Sequence, residues 1–310
     1  MKKNKIIILL ICIMFLLSGC TKVLKDKDNK AITYEKSGQT ITKNILCKPT
    51  NDDIIKIYKD NKINISKLPE CETFSVTNGG YEGLWTSFFV KPLAWLVIAL
   101  GKLCSDYGIG IILASLIIRF ATFPITKKIA MQSENMKKAK PELDKLEKKY
   151  KNKSTEDKEV MMQKTQETLG IYKKYEINPL SGCLFSFLQI PVFFAFLEAV
   201  NRVPALFEDK FLNILPLGTT PLVGISNGNY WYLILVILII GTTYFSFKLN
   251  ATASSPDQAK QMKMMSMIMI VFISIASFTL ASGIALYWIA SSVFTIGQNL
   301  LAKKNANLRK

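Results

Sequence analysis

Residues Tyr107 to Lys128 read YGIGIILASLIIRFATFPITKK, and one residue in that run contradicts the others. From Tyr107 to Thr126 only Arg119 is charged. At about 1.5 Å per residue a helix of this length crosses a hydrocarbon core of about 30 Å. Arg119 falls roughly 12 Å along that helix from Lys127, well below the headgroups unless its side chain stretches back along the helix to the interface. A charge at such depth costs about 2.5 to 3.5 kcal/mol on insertion scales, and arginine does not escape by losing its proton. Later apolar stretches hold only one carboxylate, Glu198, near one end. A permanent buried ion pair for Arg119 is therefore disfavoured against a wet cavity, and Arg119 becomes a candidate site for something negative.

The remainder of the chain supports a membrane setting. Of 310 residues, 49% are hydrophobic and 20% charged, and the two kinds are segregated. Residues 21–83 and 127–178 are polar; most of the rest is apolar, as in an integral membrane protein with two hydrophilic insertions. The net charge of +17 comes from lysines lying between apolar runs and at the C-terminus, which suits a membrane surface, anionic lipid or a ribosome. Histidine is absent from the sequence, which removes Ser-His-Asp and Cys-His catalysis, His-ligated zinc and imidazole relays. Ala281-Ser282-Gly283 thus lacks the base an intramembrane serine protease needs. The six cysteines show no CxxC spacing, so no thiol redox motif or cysteine zinc site is indicated. No enzyme activity, cofactor or metal is expected.

Taken in order, residues 1–19 read as a signal peptide, with Lys2, Lys3 and Lys5 before the apolar run Ile6 to Leu17. Leu17-Ser18-Gly19-Cys20 looks like a bacterial lipobox, making Cys20 the expected lipidation site on an external N-terminus. Residues 20–83 are a polar external segment with little periodicity and no assigned function. Ile32 to Leu46 suggests a weak hairpin turning at Lys36-Ser37-Gly38-Gln39. Cys47 and Cys71 would meet an oxidising compartment, so a disulfide between them is open. In residues 84–105, Lys91 and Lys102 bracket too few residues to span, while Trp85, Phe88, Phe89, Pro92 and Trp95 suit a helix lying in the outer interface.

Five spans are expected within residues 106–302: Tyr107–Thr126, Pro179–Val200, Tyr230–Phe247, Met262–Leu280 and Ile284–Ala302. Between the first two, residues 127–178 carry fourteen lysines against nine acids, which places them in the cytoplasm. Met136, Ala139, Leu143, Leu146 and Tyr150 follow coiled-coil spacing, as do Met162, Thr165, Leu169 and Tyr172. These predict a helical hairpin packed along both stripes, with Pro141 kinking or restarting the first arm and Ser154 or Thr155 capping the second. Residues 303–310 form a basic cytoplasmic tail. The fold class is an all-α membrane protein: five transmembrane helices around a hydrophilic groove, plus an interfacial amphipathic helix and a cytoplasmic helical hairpin.

Read together, several short motifs resemble the YidC/Oxa/Alb family of membrane protein insertases, and the lipobox resembles the lipoprotein form of Gram-positive bacteria. They are Gly110-Ile111-Ile112 leading to Ile118-Arg119 and Phe123-Pro124; Glu167 to Tyr175, ETLGIYKKY; and Asn178-Pro179-Leu180-Ser181-Gly182-Cys183 leading to Gln189-Ile190-Pro191. Ser282-Gly283, Leu286-Tyr287-Trp288 and Gln298 complete the set. The similarity covers roughly Leu84 to Lys304. Phe185, Ile270, Ala281 and Ser292 depart from the family pattern, altering kinks and packing without touching Arg119.

The resemblance implies a groove, open to cytoplasm and lipid, in which Arg119 receives the polar tail of a nascent membrane protein. Gln189, Trp288 and Gln298 would line it, although interhelical hydrogen bonding for the glutamines and simple packing for the tryptophan explain them equally well. It further implies the Sec translocon and the ribosome or its targeting partner as contacts of the hairpin and tail, the lipid bilayer as environment, and no small-molecule substrate. Two other classes compete. An anion transporter or channel would use Arg119 with more polar residues at midplane and an internal repeat. A lipoprotein scaffold for envelope assembly would place function in residues 21–83.

Overall fold

The computed structural model describes residues 21–151, 157–178, 181–250 and 256–308, without the side chains of 181–188, 250, 256–262 and 305–308. The signal segment, Cys20 and the last two residues lie outside that set. The chain is mainly helical, as expected, and divides into two compact units. One comprises residues up to Ile117, Gln189–Ile239 and Ala276–Ala290; the other comprises Ile118–Leu188, Ile240–Ile275 and Ser291–Lys310.

The first unit opens with an N-terminal module that has more structure than its polar sequence suggested. Strands β1 (Thr33–Tyr34) and β2 (Gln39–Thr40) pair antiparallel around the expected turn, where Gly38 adopts a left-handed φ of 72° that glycine accepts without strain. Helix α1 (Asp52–Asp60) follows, its first amides accepted by the Asn51 carboxamide. Leu24, Ile41, Ile45, Ile54 and Tyr58 form a small core, the apolar face that α1 needs in order to stay folded. Cys47 and Cys71 are joined in a disulfide.

Next, a π-helical turn (Thr86–Val90) leads into α2 (Lys91–Cys104). Lys91 is fully buried, held by Glu82 at 2.9 Å and the carbonyls of Asn78 and Gly80 at 2.7 Å. It therefore does not interrupt the apolar surface. By length and composition Thr86–Cys104 is long and apolar enough to cross a membrane.

Helix α3 (Tyr107–Tyr150) starts on two aspartates: Asp106 accepts from Ile109 and Leu212 backbone amides, and Asp209 from that of Tyr107. A Cβ on Gly110 would lie 2.6 Å from the Gly101 backbone, so α2 and α3 meet at a distance only glycines permit. The connection after α5 (Ser181–Asn201) holds α6 (Pro204–Glu208), the strand pair β3 (Lys210–Phe211) and β4 (Leu215–Pro216), and α7 (Pro221–Ser226). Helices α8 (Trp231–Asn250), α9 (Pro256–Thr279) and α10 (Ser282–Leu308) complete the chain. Ser282 donates from its hydroxyl to the Pro216 carbonyl at 2.7 Å, and the Gly283 amide donates to Leu217 at 3.0 Å. This motif pins the start of α10 onto β4.

The second unit contains the expected hairpin with corrections to its details. Helix α3 continues through Pro124 and Pro141 as 44 residues, so Pro141 does not restart it. Helix α4 (Lys158–Lys174) is capped by Asp157; Ser154 and Thr155 lie outside the described residues. On the first arm Ala139, Leu143, Leu146 and Tyr150 are buried as expected. On the second arm the expected stripe is out of phase, since Met162 and Leu169 are 60% and 50% exposed. Tyr172 of that stripe does pack on the first arm, joined there by Ile171 and Tyr175. Two like clamps set that phase: Lys149 and Tyr150 reach Glu167 at 2.7 and 2.8 Å, and Lys174 and Tyr175 reach Glu142 at 2.5 and 2.8 Å.

Among the described residues, four helical stretches have the length and apolarity of a membrane span: Thr86–Cys104, Tyr107–Tyr150, Trp231–Leu249 and Ser282–Lys304. The described apolar parts of α5 and α9, Gln189–Asn201 and Lys263–Thr279, are shorter.

Candidate functional site

Two helices of the second unit carry polar groups on a buried face. On α3 these are Arg119, Thr122, Thr126 and Ser133, at intervals of three, four and seven residues that keep them on one side. Arg119 is 9% exposed and Thr126 5%. The hydroxyls of Thr122 and Thr126 donate back to carbonyls one turn earlier, to Ile118 at 3.0 Å and Thr122 at 3.2 Å, which lets a hydroxyl sit in an apolar helix without a penalty for an unmade bond.

Ser291, Thr295, Gln298 and Ala302 repeat the pattern on α10, and Asn299 adjoins them; all five are buried. Thr295 donates to the Ser291 carbonyl at 2.9 Å. The Gln298 and Asn299 amide nitrogens and the Ser291 hydroxyl have no hydrogen-bond partner among the described residues. Burying an amide without a partner costs about 1–3 kcal/mol. Such groups are typical of a surface that meets water or a polar ligand rather than lipid.

The four residues singled out from the sequence divide between the units. Arg119 and Gln298 belong to the second and are both buried on polar faces. Gln189 and Trp288 belong to the first and are half-buried. The Trp288 ring meets Phe193 edge-on with centroids 5.2 Å apart, and neighbouring Tyr287 stacks on Phe196 at 4.1 Å. Trp288 thus takes part in aromatic packing of α10 on α5 within its unit.

A second buried guanidinium, Arg202, was not anticipated. It is 1% exposed. Its Nη2 lies 2.7 Å from Glu82, its Nη1 3.2 Å from Glu198, and its Nε donates to the Asn44 carbonyl at 2.6 Å. Glu198 also accepts from the Trp85 indole at 2.9 Å. The one carboxylate in the later apolar stretches is therefore committed to Arg202. Burial alone would raise the Glu82 carboxyl, but hydrogen bonds and charge from Lys91 and Arg202 outweigh it and hold the group below its ordinary range. The Glu198/Arg202 spacing of four is a helical ion-pair signal visible in the sequence; its link to Glu82 is not.

Long apolar helices, a two-armed polar hairpin and a buried arginine on a polar helix face define a polytopic α-helical membrane protein. Residues 99–309 match the model of the 60Kd inner membrane protein family, and the chain belongs to that family. Its relatives include membrane protein insertase YidC 2 of Bacillus anthracis, 33% identical over 222 residues, 71% of this chain and 82% of that one. Membrane protein insertase MisCA of Bacillus subtilis is 32% identical over 220 residues, 71% of this chain and 79% of the relative. A solved structure of an active YidC insertase, with its first transmembrane domain resolved, aligns with 79% of this chain and 50% of its own at 22% identity and a TM-score of 0.44.

Proposed function

We propose that this protein is a membrane protein insertase that takes nascent proteins into the cytoplasmic membrane through a hydrophilic groove built around Arg119. The observation that carries the reading is a permanent charge kept on a polar face of an otherwise apolar helix, together with membership of a family whose relatives bear the insertase name. Arg119 attracts the polar, often acidic, tail of the incoming chain. A wet groove shortens the hydrocarbon distance the tail must cross. The apolar segment then passes into lipid, driven by burial worth roughly 25 cal/mol per Å². No covalent bond is made or broken.

Gln298 and Gln189 would offer amides to the passing backbone and Trp288 a greasy edge. In this proposal the membrane holds five spans, with residues 21–83 outside, tethered by a lipid on Cys20, and with the hairpin and residues 303–310 inside, facing the Sec translocon and the ribosome or its targeting partner.

The test is depletion of the host insertase with complementation by wild type, Arg119→Lys and Arg119→Ala. Lys keeps most insertion, because a point charge suffices for steering; Ala loses substrates with acidic tails. Full rescue by Ala for every such substrate overturns the electrostatic role. Crosslinking of stalled chains to Gln298 and Trp288 positions tests the groove itself.

A further inference from the structure

The N-terminal module is attached to the rest of its unit at three separated places. First, Arg202 at the end of α5 donates to the Asn44 carbonyl at 2.6 Å and to Glu82 at 2.7 Å, while its own carbonyl accepts from Leu46 at 2.7 Å. Lys91, fully buried, closes the same network through Glu82, Asn78 and Gly80. The cluster holds two cations, Lys91 and Arg202, and two carboxylates, Glu82 and Glu198, so its charges balance; Lys91, Arg202 and Glu198 are buried, while Glu82 keeps one edge to solvent. Second, Glu208 on α6 accepts from the amides of Thr50 and Asn51 at 3.0 and 2.9 Å, at the N-terminus of α1 where a carboxylate is favoured. Third, the Thr220 amide before α7 donates to the Ser37 carbonyl at 2.8 Å, and a Cβ on Gly38 would come within 2.6 Å of the Thr220 hydroxyl.

All three places lie on one connection, Arg202 to Thr220, between α5 and α8. The disulfide Cys47–Cys71 crosses the module between the first two attachments. That connection has little regular structure of its own, only short helices and a two-residue strand pair.

We infer that the N-terminal module is a brace for this chain's own α5–α8 connection, with Glu82 and Arg202 as its positioning residues. The α5–α8 connection buries Leu206, Phe207, Leu215 and Leu217 and is also tied to α3 and α10, and the module holds it at these three further places. The attachments behave as one cooperative unit, so weakening the charge cluster loosens the other two. This role is independent of Arg119 and of the insertase reading.

The test is hydrogen exchange on the full chain in nanodiscs, followed at the amides of Leu46, Thr50, Asn51 and Thr220. In wild type all four exchange slowly and at closely similar rates. In Glu82→Gln, which leaves Lys91 and Arg202 facing a neutral group, all four accelerate together, by about tenfold or more. In Lys36→Gln, which breaks an exposed pair with Asp53 inside the module, they keep wild-type rates. Acceleration confined to Leu46, with Thr50, Asn51 and Thr220 unchanged, overturns the brace. So do wild-type amides that exchange as fast as open loop; this measurement decides the matter even if Glu82→Gln does not fold.

Discussion

Among the described residues two arginines are buried, and they lie on helix faces of different composition. Arg202 is gripped by two carboxylates, a hydroxyl and a carbonyl, all fixed by folded neighbours. Arg119 sits on a helix face whose other members are hydroxyl residues, Thr122, Thr126 and Ser133, and a similar polar pattern recurs on α10 with Ser291, Thr295 and Gln298. A guanidinium held by carboxylates is spent on structure. Under the proposed function, the Arg119 charge serves an incoming anion rather than the fold. The comparison teaches that burial alone does not mark a functional charge.

The contrast yields predictions of decreasing size. Arg119→Ala should abolish complementation for acidic-tailed substrates while leaving the thermal unfolding of the purified protein nearly unchanged; a large stability loss would place Arg119 in the same class as Arg202. Arg202→Ala should do the reverse, costing about 3–5 kcal/mol by leaving Glu198 and Glu82 without their shared cation, read as a lowered melting temperature of the detergent-solubilised chain. Removing the Cys47–Cys71 link, which spans 24 residues, with paired serines should cost about 3 kcal/mol and expose the module to protease, with insertion by Arg119 retained.

Acid should act on the surroundings of Arg202. The Glu82 carboxyl is held below its ordinary 4.5 in the folded protein, so its contribution is complete above that value and is lost as pH falls through the folded one. Lys91, Arg202 and Glu198 are the charged groups that face it. Exchange at Leu46 should therefore quicken on acidification below about pH 4.5 in wild type, and Glu82→Gln should remove that dependence. The smallest effect is expected in the hairpin. Glu142→Gln and Glu167→Gln each break an exposed clamp, where ion pairs contribute little, and should barely move the melting temperature while raising exchange in α4.

How much of this was legible depended on how far apart in the chain the cause lay. Arg119 stood out because a single charge in twenty apolar residues is a local contradiction. The hairpin's first arm and the Lys36–Gln39 turn were likewise local. The second arm was misphased because Met162 and Leu169 are the more apolar residues, whereas the pairing is set by Glu142, Glu167 and two tyrosine hydroxyls reaching across the hairpin. Pro141 looked like a helix break because a proline removes one backbone bond, yet the arm's packing on Ile171 and Tyr175 keeps it continuous. The brace was invisible since Glu82, Lys91 and Arg202 come together over separations as large as 120 residues, and no short window holds them. Gln298 came from a family motif, and the burial of its polar helix face needed coordinates.

The uninterrupted course of α3 has a mechanical reading. From Arg119 to Tyr150 the helix carries no loop, so roughly 46 Å of rod joins the hairpin tip to the charged turn. Under the proposed function, the pull of a polypeptide held by the hairpin would pass along that rod toward the guanidinium, making the hairpin a handle as well as a contact surface.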